Sequence, residues 1–432
     1  MFIKSIFKMR NSLIQLKSKK NSFLIKMINV KTKYTYLFSL SIALLLGCQE
    51  EERVIYKADG QAPPPIENLR FVRANGGFDI SYDLPPGKDI LYVVAEYTDN
   101  KGQKAEVRTS TFNNKMTIRG FGDTAPKTIE VFTVDRANNR SIPVGLTAEP
   151  LSPVVEEVAK TISIQPTWGG VAVEWFNETE VPIVLDIYAE NEQGELEIAE
   201  VLYSENLEQS FTLRGRESTP QQFKVVVRDR YENQSAEVFP VTSDQTLTPL
   251  QEDELDKSKF VQVTLANDDT WDAWGSSFSR MYNDNYNAED WAHTQGNKPR
   301  PTILTIDLGV EVELSRFRVY QRGGNWGFRH ANPKTYTLYG SLDDSLVAPG
   351  ADGNLDDWIK IRDCESIKPS GLPVGTLSNE DRDAILSGDE FEIDELIRIR
   401  YVRIAVHTSW GGNNATHIIE LDFWGKVYEL SN

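Results

Sequence analysis

Residues Gly323 to Ser341 read GGNWGFRHANPKTYTLYGS, and the two halves of this stretch obey different rules. From Thr335 onward, larger and smaller side chains alternate with the period of two that a pleated strand imposes. Before Pro333 nothing alternates. Glycines at 323, 324 and 327 surround Asn325, Trp326, Phe328, Arg329 and His330, a loop in which backbone freedom and large flat side chains come together. The neighbouring segments agree with the strand half: TILTIDLG (302–309), LSRFRVYQR (314–322), WIKIRD (358–363), RYVRIAV (400–406) and IIELDFWG (418–425). They are rich in β-branched and aromatic residues. EFEIDEL (390–396) reads as either strand or extended loop. No strand–helix–strand alternation is present, so residues 260–428 are expected to form an all-β sandwich. This region also holds seven of the nine tryptophans.

Upstream, the chain repeats itself. GGFDISYD from Gly76 is echoed by GGVAVEWF from Gly169, TIRG ending at Gly120 by TLRG ending at Gly215, and IEVFTVDRANNRS by FKVVVRDRYENQS. The offset stays between 92 and 95 residues, the length of a domain rather than of a solenoid turn. Each copy has about seven short strand segments separated by turn residues, the count expected of a β-sandwich. The boundaries are 63–149 for the first copy, after the stiff APPP spacer, and 154–244 for the second, after Pro150 to Pro153. The Asp135-Arg136 and Asp229-Arg230 pairs fall where a turn follows a late strand, and fixing that turn is their expected role. Residues 245–259 are a polar, acidic linker in which Leu247, Leu250 and Leu255 suggest a short helical turn.

The beginning of the chain is read as targeting rather than fold. Met1 to Gly47 carries nine Lys and Arg and no acid, and ends in the short apolar run YLFSLSIALLLGC. Leu45, Leu46 and Gly47 before Cys48 resemble a bacterial lipobox, which implies cleavage before Cys48 and its lipidation. Residues 1–47 are then a signal peptide, with Met27 as an alternative start that gives an ordinary signal length. Residues 48–62 are a tether whose QEEER resembles the export signal of Bacteroidetes surface lipoproteins. A merely soluble tether is the alternative. The whole chain has a formal net charge of −18. Without the leader, 37 basic residues face 64 acidic ones, which argues against nucleic acid as a partner. Cys364 is the one cysteine besides Cys48, so no intrachain disulfide is expected in the mature chain.

The order PTILTIDLG, LSRFRVYQR, NPKTYTLYGSLDD, RYVRIAVHTSWGG, HIIELDFWG resembles a galactose-binding-like domain, the discoidin or coagulation factor 5/8 type C jelly roll. Asp307, Leu308 and Gly309 match the family's core strand phrase, Lys334 to Ser341 the strand opening its second half, Arg400 to Val406 its arginine strand, and Ile418 to Gly425 its closing strand. The two upstream copies resemble fibronectin type III-like modules, and in this order the three resemble a Bacteroidetes lipoprotein group found with glycan-uptake systems. The fold class is therefore all-β: two tandem fibronectin type III-like sandwiches, then a discoidin-like jelly roll.

In many members of that family, loops at one end of the jelly roll bind sugars. The corresponding loops here are 267–286, with Trp271, Asp272 and Trp274; 323–332; and 409–417, with Trp410, Asn413 and Asn414. Flat aromatic faces suit the apolar faces of sugar rings, while amides and guanidinium groups reach hydroxyls. The assigned ligand residues are Trp271, Asn325, Trp326, Arg329, His330, Trp410 and Asn413, with plugging of the sandwich end as the alternative role for the tryptophans. The resemblance also implies a structural calcium ion, for which Asp284 and Glu420 supply carboxylate oxygens. No catalytic carboxylate phrase, HExxH helix, GxSxG elbow or phosphate loop is present, so no enzyme activity is expected. The function expected is that of a non-catalytic carbohydrate-binding lipoprotein of the outer-membrane surface, whose ligand is a polysaccharide or oligosaccharide. A structural or protein-interaction lipoprotein docking on outer-membrane glycan-uptake proteins is the alternative.

Overall fold

The computed structural model describes residues 60–86, 89–393 and 395–428. The signal peptide, Cys48 and all of the tether but its last three residues lie outside them. The described chain is all-β, with several discrete sheets in sandwich-type units.

The repeat seen in the sequence is a repeat of topology. In the first unit a three-stranded sheet (Glu67–Ala74, Gly77–Asp83, Lys115–Arg119) faces a four-stranded one (Ile90–Thr98, Lys104–Ser110, Lys127–Asp135, Val144–Ala148). The second unit has the same three-plus-four division. Ser163–Thr167, Gly170–Phe176 and Glu208–Leu213 face Ile183–Glu190, Leu196–Ser204, Gln221–Arg228 and Thr246–Leu247, joined in the same order. Each core draws inward-pointing residues from both sheets: Phe78, Ile80 and Ile118 against Val93 and Val131 in one, Val171, Val173 and Trp175 against Leu185 and Val225 in the other. The short helix Val154–Ala159 adds Val155 and Val158 to the second core.

The echoed Gly-Gly pairs have a steric cause. Gly76 and Gly169 turn the chain at φ 57° and 63°. A Cβ on Gly77 would lie 2.0 Å from the Ile118 carbonyl oxygen, and one on Gly170 1.7 Å from that of Leu213. Of the Asp-Arg pairs, the aspartates close the turns. Asp135 accepts from the backbone and side-chain nitrogens of Asn139 (2.7 and 2.8 Å), and Asp229 from those of Asn233 (3.0 and 2.9 Å), closing equivalent turns.

The linker differs from expectation. It forms no α-helical turn at its leucines. Thr246–Leu247 extends the second unit's sheet, Leu250 bridges to Trp168, and Asp253–Glu254 pairs with the closing strand of the third unit. A 3₁₀ turn follows at Lys257–Lys259, capped by Asp256, whose side chain accepts from the Ser258 N–H. The third unit is built on an eight-stranded sheet ordered Asp253–Glu254, Glu420–Tyr428, Thr302–Tyr320, Arg398–Ser409, Pro333–Ser341, Ile359–Glu365. Val261–Val263 and Asp389–Glu392 also pair with the central strand, which resolves EFEIDEL in favour of a strand over its first residues. Two strands expected around Asp307–Gly309 are one, Thr302–Tyr320. Its first part pairs with Arg398–Ser409, and its last with Glu420–Tyr428. At the bend, Gly309 has φ 70°, and Asp307 holds Arg400 through two bonds of 2.9 and 2.8 Å. One α-helix, Asn379–Ser387, is closed at its start by a Ser378–Asp381 capping box and at its end by Gly388. Cys364 is buried and free, and burial pushes its thiol up to about 12.

Candidate functional site

The loop that opened the sequence reading is rigidly made. Gly324, Phe328 and His330 all take left-handed backbone conformations, at φ 62°, 47° and 54°. Fully buried Asn332 ties the loop shut. Its Oδ1 accepts from the Arg322 N–H (2.8 Å), and its amide donates to the carbonyls of Trp326 (2.8 Å) and Arg322 (3.1 Å). Gln321 Oε1 accepts from the Phe328 N–H at 2.7 Å. The 409–417 loop is stitched alongside by Gly411 N–H to His330 O (2.7 Å), Trp410 N–H to Asn332 O (2.9 Å) and His417 N–H to Ala331 O (3.0 Å). A Cβ on Gly411 would meet the His330 carbonyl oxygen at 2.5 Å, so glycine there permits the contact.

These two loops and the segment 274–293 enclose an open cleft of about 310 Å³. Three indoles line it: Trp274, Trp291 and Trp326. Trp274 sits at φ 61° in the turn Ala273–Gly275 and is 77% exposed. The Arg322 guanidinium lies over both of the other two rings, 3.8 Å from the Trp291 centroid and 4.6 Å from that of Trp326. Arg322 Nε donates to Ala288 O (2.9 Å) and Nη2 to Glu289 (3.1 Å), which fixes the plane of the group. Three imidazoles complete the lining. His330 packs edge-on to Trp326 at 4.6 Å, and His293 edge-on to His417 at 5.3 Å. His293 Nδ1 is 2.6 Å from Thr294 O. His417 is 1% exposed, and neither ring nitrogen has a partner among the described residues. Burial first, then neighbouring positive groups, holds His417 well below the usual imidazole range. The same two causes lower His330, and burial lowers His293. At neutral pH the cleft is thus lined by flat apolar faces, imidazoles in the neutral form, of which His417 is buried, and one fixed cation.

Of the residues assigned from the sequence, Trp326, His330 and Asn413 line this cleft. Asn325 and Arg329 belong to the same loop but not to the lining. Trp410 braces the loop from behind: it stands edge-on to Phe328 at 5.2 Å, and its Nε1 donates to Ser366 Oγ at 3.2 Å. Trp271 is a core residue and offers no face to a ligand. It is 2% exposed, edge-on to Phe278 at 6.5 Å, with Nε1 3.5 Å from Ile303 O. Its neighbour Trp274 holds the exposed position instead. Trp291, His293, Arg322 and His417 were not assigned from the sequence. Arg322 and His417 sit at strand ends, where alternation reads them as parts of the strand.

Asp284 and Glu420 do come together, but around an ammonium group. Lys257 Nζ is 2.8 Å from Asp284 Oδ1, 2.9 Å from Glu420 Oε1 and 2.5 Å from Asp422 Oδ1. Burial alone would lower the Lys257 pKa, and the three carboxylates more than reverse that, leaving it above the ordinary lysine value. The residues therefore do not fit the calcium ion expected from Asp284 and Glu420, because a cation from the chain already holds their oxygens. Among the described residues no group of three or more His, Cys, Asp and Glu is placed to hold a metal.

Three family models match the chain in tandem, each described as a domain of unknown function: DUF4959 over 63–150, DUF5126 over 151–258 and DUF5000 over 282–425. A search of curated proteins gives no match. Among solved structures, a SusE-like protein is 33% identical over 64% of this chain and 100% of its own, with a TM-score of 0.41. The family 32 carbohydrate-binding module of NanJ from C. perfringens, solved with galactose, is 15% identical over 40% of this chain and 98% of its own, with a TM-score of 0.28. The C-terminal domain of a chitobiase from Bacteroides fragilis is 19% identical over 41% of this chain and 100% of its own, with a TM-score of 0.30.

Proposed function

We propose, from the premise that the chain belongs to the SusE-like family (33% identity along the full length of a member), that it is a non-catalytic carbohydrate-binding protein of the bacterial outer-membrane surface. Cys48 is its lipid anchor, the first two units are fibronectin type III-like spacers, and the third is a discoidin-like jelly roll that carries the ligand site. Outer-membrane glycan-uptake proteins are its expected neighbours.

The observation that carries the reading is the cleft with three indoles and one clamped guanidinium. An exposed indole at Trp274 and a half-buried one at Trp326 offer surfaces on which the C–H face of a sugar ring can lie. Arg322, Asn413 and the neutral imidazole of His330 supply directed donors and acceptors at the edge of such a ring. The open shape suits a chain end or an internal residue of an extended glycan.

A glycan screen with the full chain tests this. Binding of at least one polysaccharide or oligosaccharide is expected. Trp274→Ala and Trp326→Ala are each expected to weaken it about tenfold or more, on the order of 1–2 kcal/mol. Trp274→Ala should leave thermal stability almost unchanged, as exposed positions do. Trp271→Ala is the control, costing roughly 3–5 kcal/mol of stability as a buried aromatic. Absence of binding across the screen, or a Trp274→Ala and Trp326→Ala pair that binds like the parent, overturns the proposal.

A further inference from the structure

The corner where the linker enters the third unit is built around one positive charge. Lys257 lies in the 3₁₀ turn directly after the strand Asp253–Glu254, and its side chain is 5% exposed. Its ammonium has three N–H bonds and meets three carboxylates, those of Asp284, Glu420 and Asp422, at 2.5–2.9 Å. Glu420 and Asp422 are 0% and 3% exposed, both on the closing strand, whereas Asp284 is at the rim and 71% exposed. The second oxygens of the two buried carboxylates are also engaged. Asn283 N–H donates to Glu420 Oε2 at 3.3 Å, and Tyr286 Oη lies 3.4 Å from Asp422 Oδ2 and 3.2 Å from Oδ1. Two buried carboxylates on one strand would repel each other and lose their hydration without a cation between them.

The three oxygens lie 2.5–2.9 Å from Nζ, one within and two a few tenths of an ångström beyond the roughly 2.3–2.6 Å of calcium–oxygen contacts. Three carboxylate oxygens are part of the roughly six to eight that a calcium ion takes, and their centre is filled covalently from the chain. We infer that Lys257 is the resident cation of this corner, so that the third unit folds without calcium, and that removing the lysine uncovers a latent site for a divalent ion. The inference is independent of the carbohydrate reading, and its test involves no glycan.

The experiment is thermal unfolding of the full chain, followed by tryptophan fluorescence, in excess EDTA and in millimolar calcium. Seven of the nine tryptophans lie beyond residue 260, so the signal reports chiefly on the third unit. For the parent, the two midpoints are expected to agree within about 1 °C, and terbium is expected to give no sensitised luminescence above a buffer-exchanged blank. Lys257→Ala in EDTA is expected to unfold roughly 10 °C lower, because it strands two buried carboxylates. Millimolar calcium is expected to recover about half of that loss or more, with terbium luminescence appearing. If Lys257→Ala fails to fold, refolding in calcium should restore it. The triple variant Lys257→Met, Glu420→Gln, Asp422→Asn should fold in EDTA and ignore calcium. A parent stabilised by calcium, or a Lys257→Ala chain that neither calcium nor terbium affects, overturns the inference.

Discussion

His417 concentrates the site's chemistry in one side chain. The imidazole lies at the floor of the cleft with its ring against His293 and, among the described residues, no partner for either nitrogen. Its folded pKa lies below the unfolded one, so as pH falls the unfolded chain takes up the proton first. Its contribution to stability is full above the unfolded value of about 6.5 and is lost as pH falls from there toward the folded value. Between pH 7.5 and pH 5.5 the thermal midpoint of the third unit should drop more in the parent than in His417→Leu. The variant separates the imidazole from the carboxylates that titrate over the same interval. Equal drops would show that His417 does not sense pH. The residue scale is also where sequence reading was weakest. WDAW holds Trp271 and Trp274 three positions apart in a loop without period, so nothing in the string tells the 2% exposed indole from the 77% exposed one. Glu420 could be matched to a family ligand position, but its partner Lys257 is more than 160 residues away, in a segment that reads as linker.

At the scale of elements, the central strand Thr302–Tyr320 shows what pattern conveys and what it omits. Alternation marked both of its halves, and Asp307-Leu308-Gly309 marked the break between them. What alternation does not encode is whether a break is a turn or a bend. Here it is a bend, in which the strand exchanges one neighbour for another. Gly309→Ala tests that corner. The new Cβ would lie 2.6 Å from the Lys259 carbonyl oxygen, at a φ of 70° that L-residues disfavour. A loss of roughly 2–4 kcal/mol is expected in denaturant unfolding, and a loss below about 0.5 kcal/mol would mean the bend does not need glycine. The tandem sandwiches were legible because Gly-Gly turns and Asp-closed turns recur at matching places, each imposed by a contact that any copy of the fold must make. The helix Asn379–Ser387 was missed although Ser378, Asp381 and Gly388 signal its ends, since only Ile385 and Asp381 of its residues are buried and no apolar face repeats.

Across the whole molecule, a buried acid of the linker stands at the joint between the second unit and the third. Glu252, whose side chain is 5% exposed, accepts from Ser315 Oγ (2.5 Å) and from Arg316 Nε and Nη2 (3.1 Å each), and lies 3.6 Å from Arg214 of the second unit. Arg214 also pairs with Glu392 of the third unit, and Arg316 with Glu390. Because Glu252 lies in the linker and is the acid that Arg214 and Arg316 share, removing its charge leaves each arginine with only its third-unit acid, Glu392 or Glu390. Glu252→Ala is expected to split a shared calorimetric transition into separate ones, or to widen an existing separation, and to increase the radius of gyration in solution scattering. Unchanged profiles in both measurements would show that the paired strands alone hold the joint. The neighbouring first joint has a different composition: Asn100 donates to Asn233 Oδ1 and Tyr231 O, and Lys101 pairs with Glu232.

The cleft itself is assembled from pieces of chain far apart: Trp274, Trp291 and His293, the run from Arg322 to Ala331, and Asn413 to His417. No contiguous peptide contains it, so GGNWGFRHAN transplanted into another scaffold would carry an indole without its guanidinium clamp or its histidine floor. The lining is a property of the completed fold: segments more than a hundred residues apart in the chain meet only once the strands between them are in place.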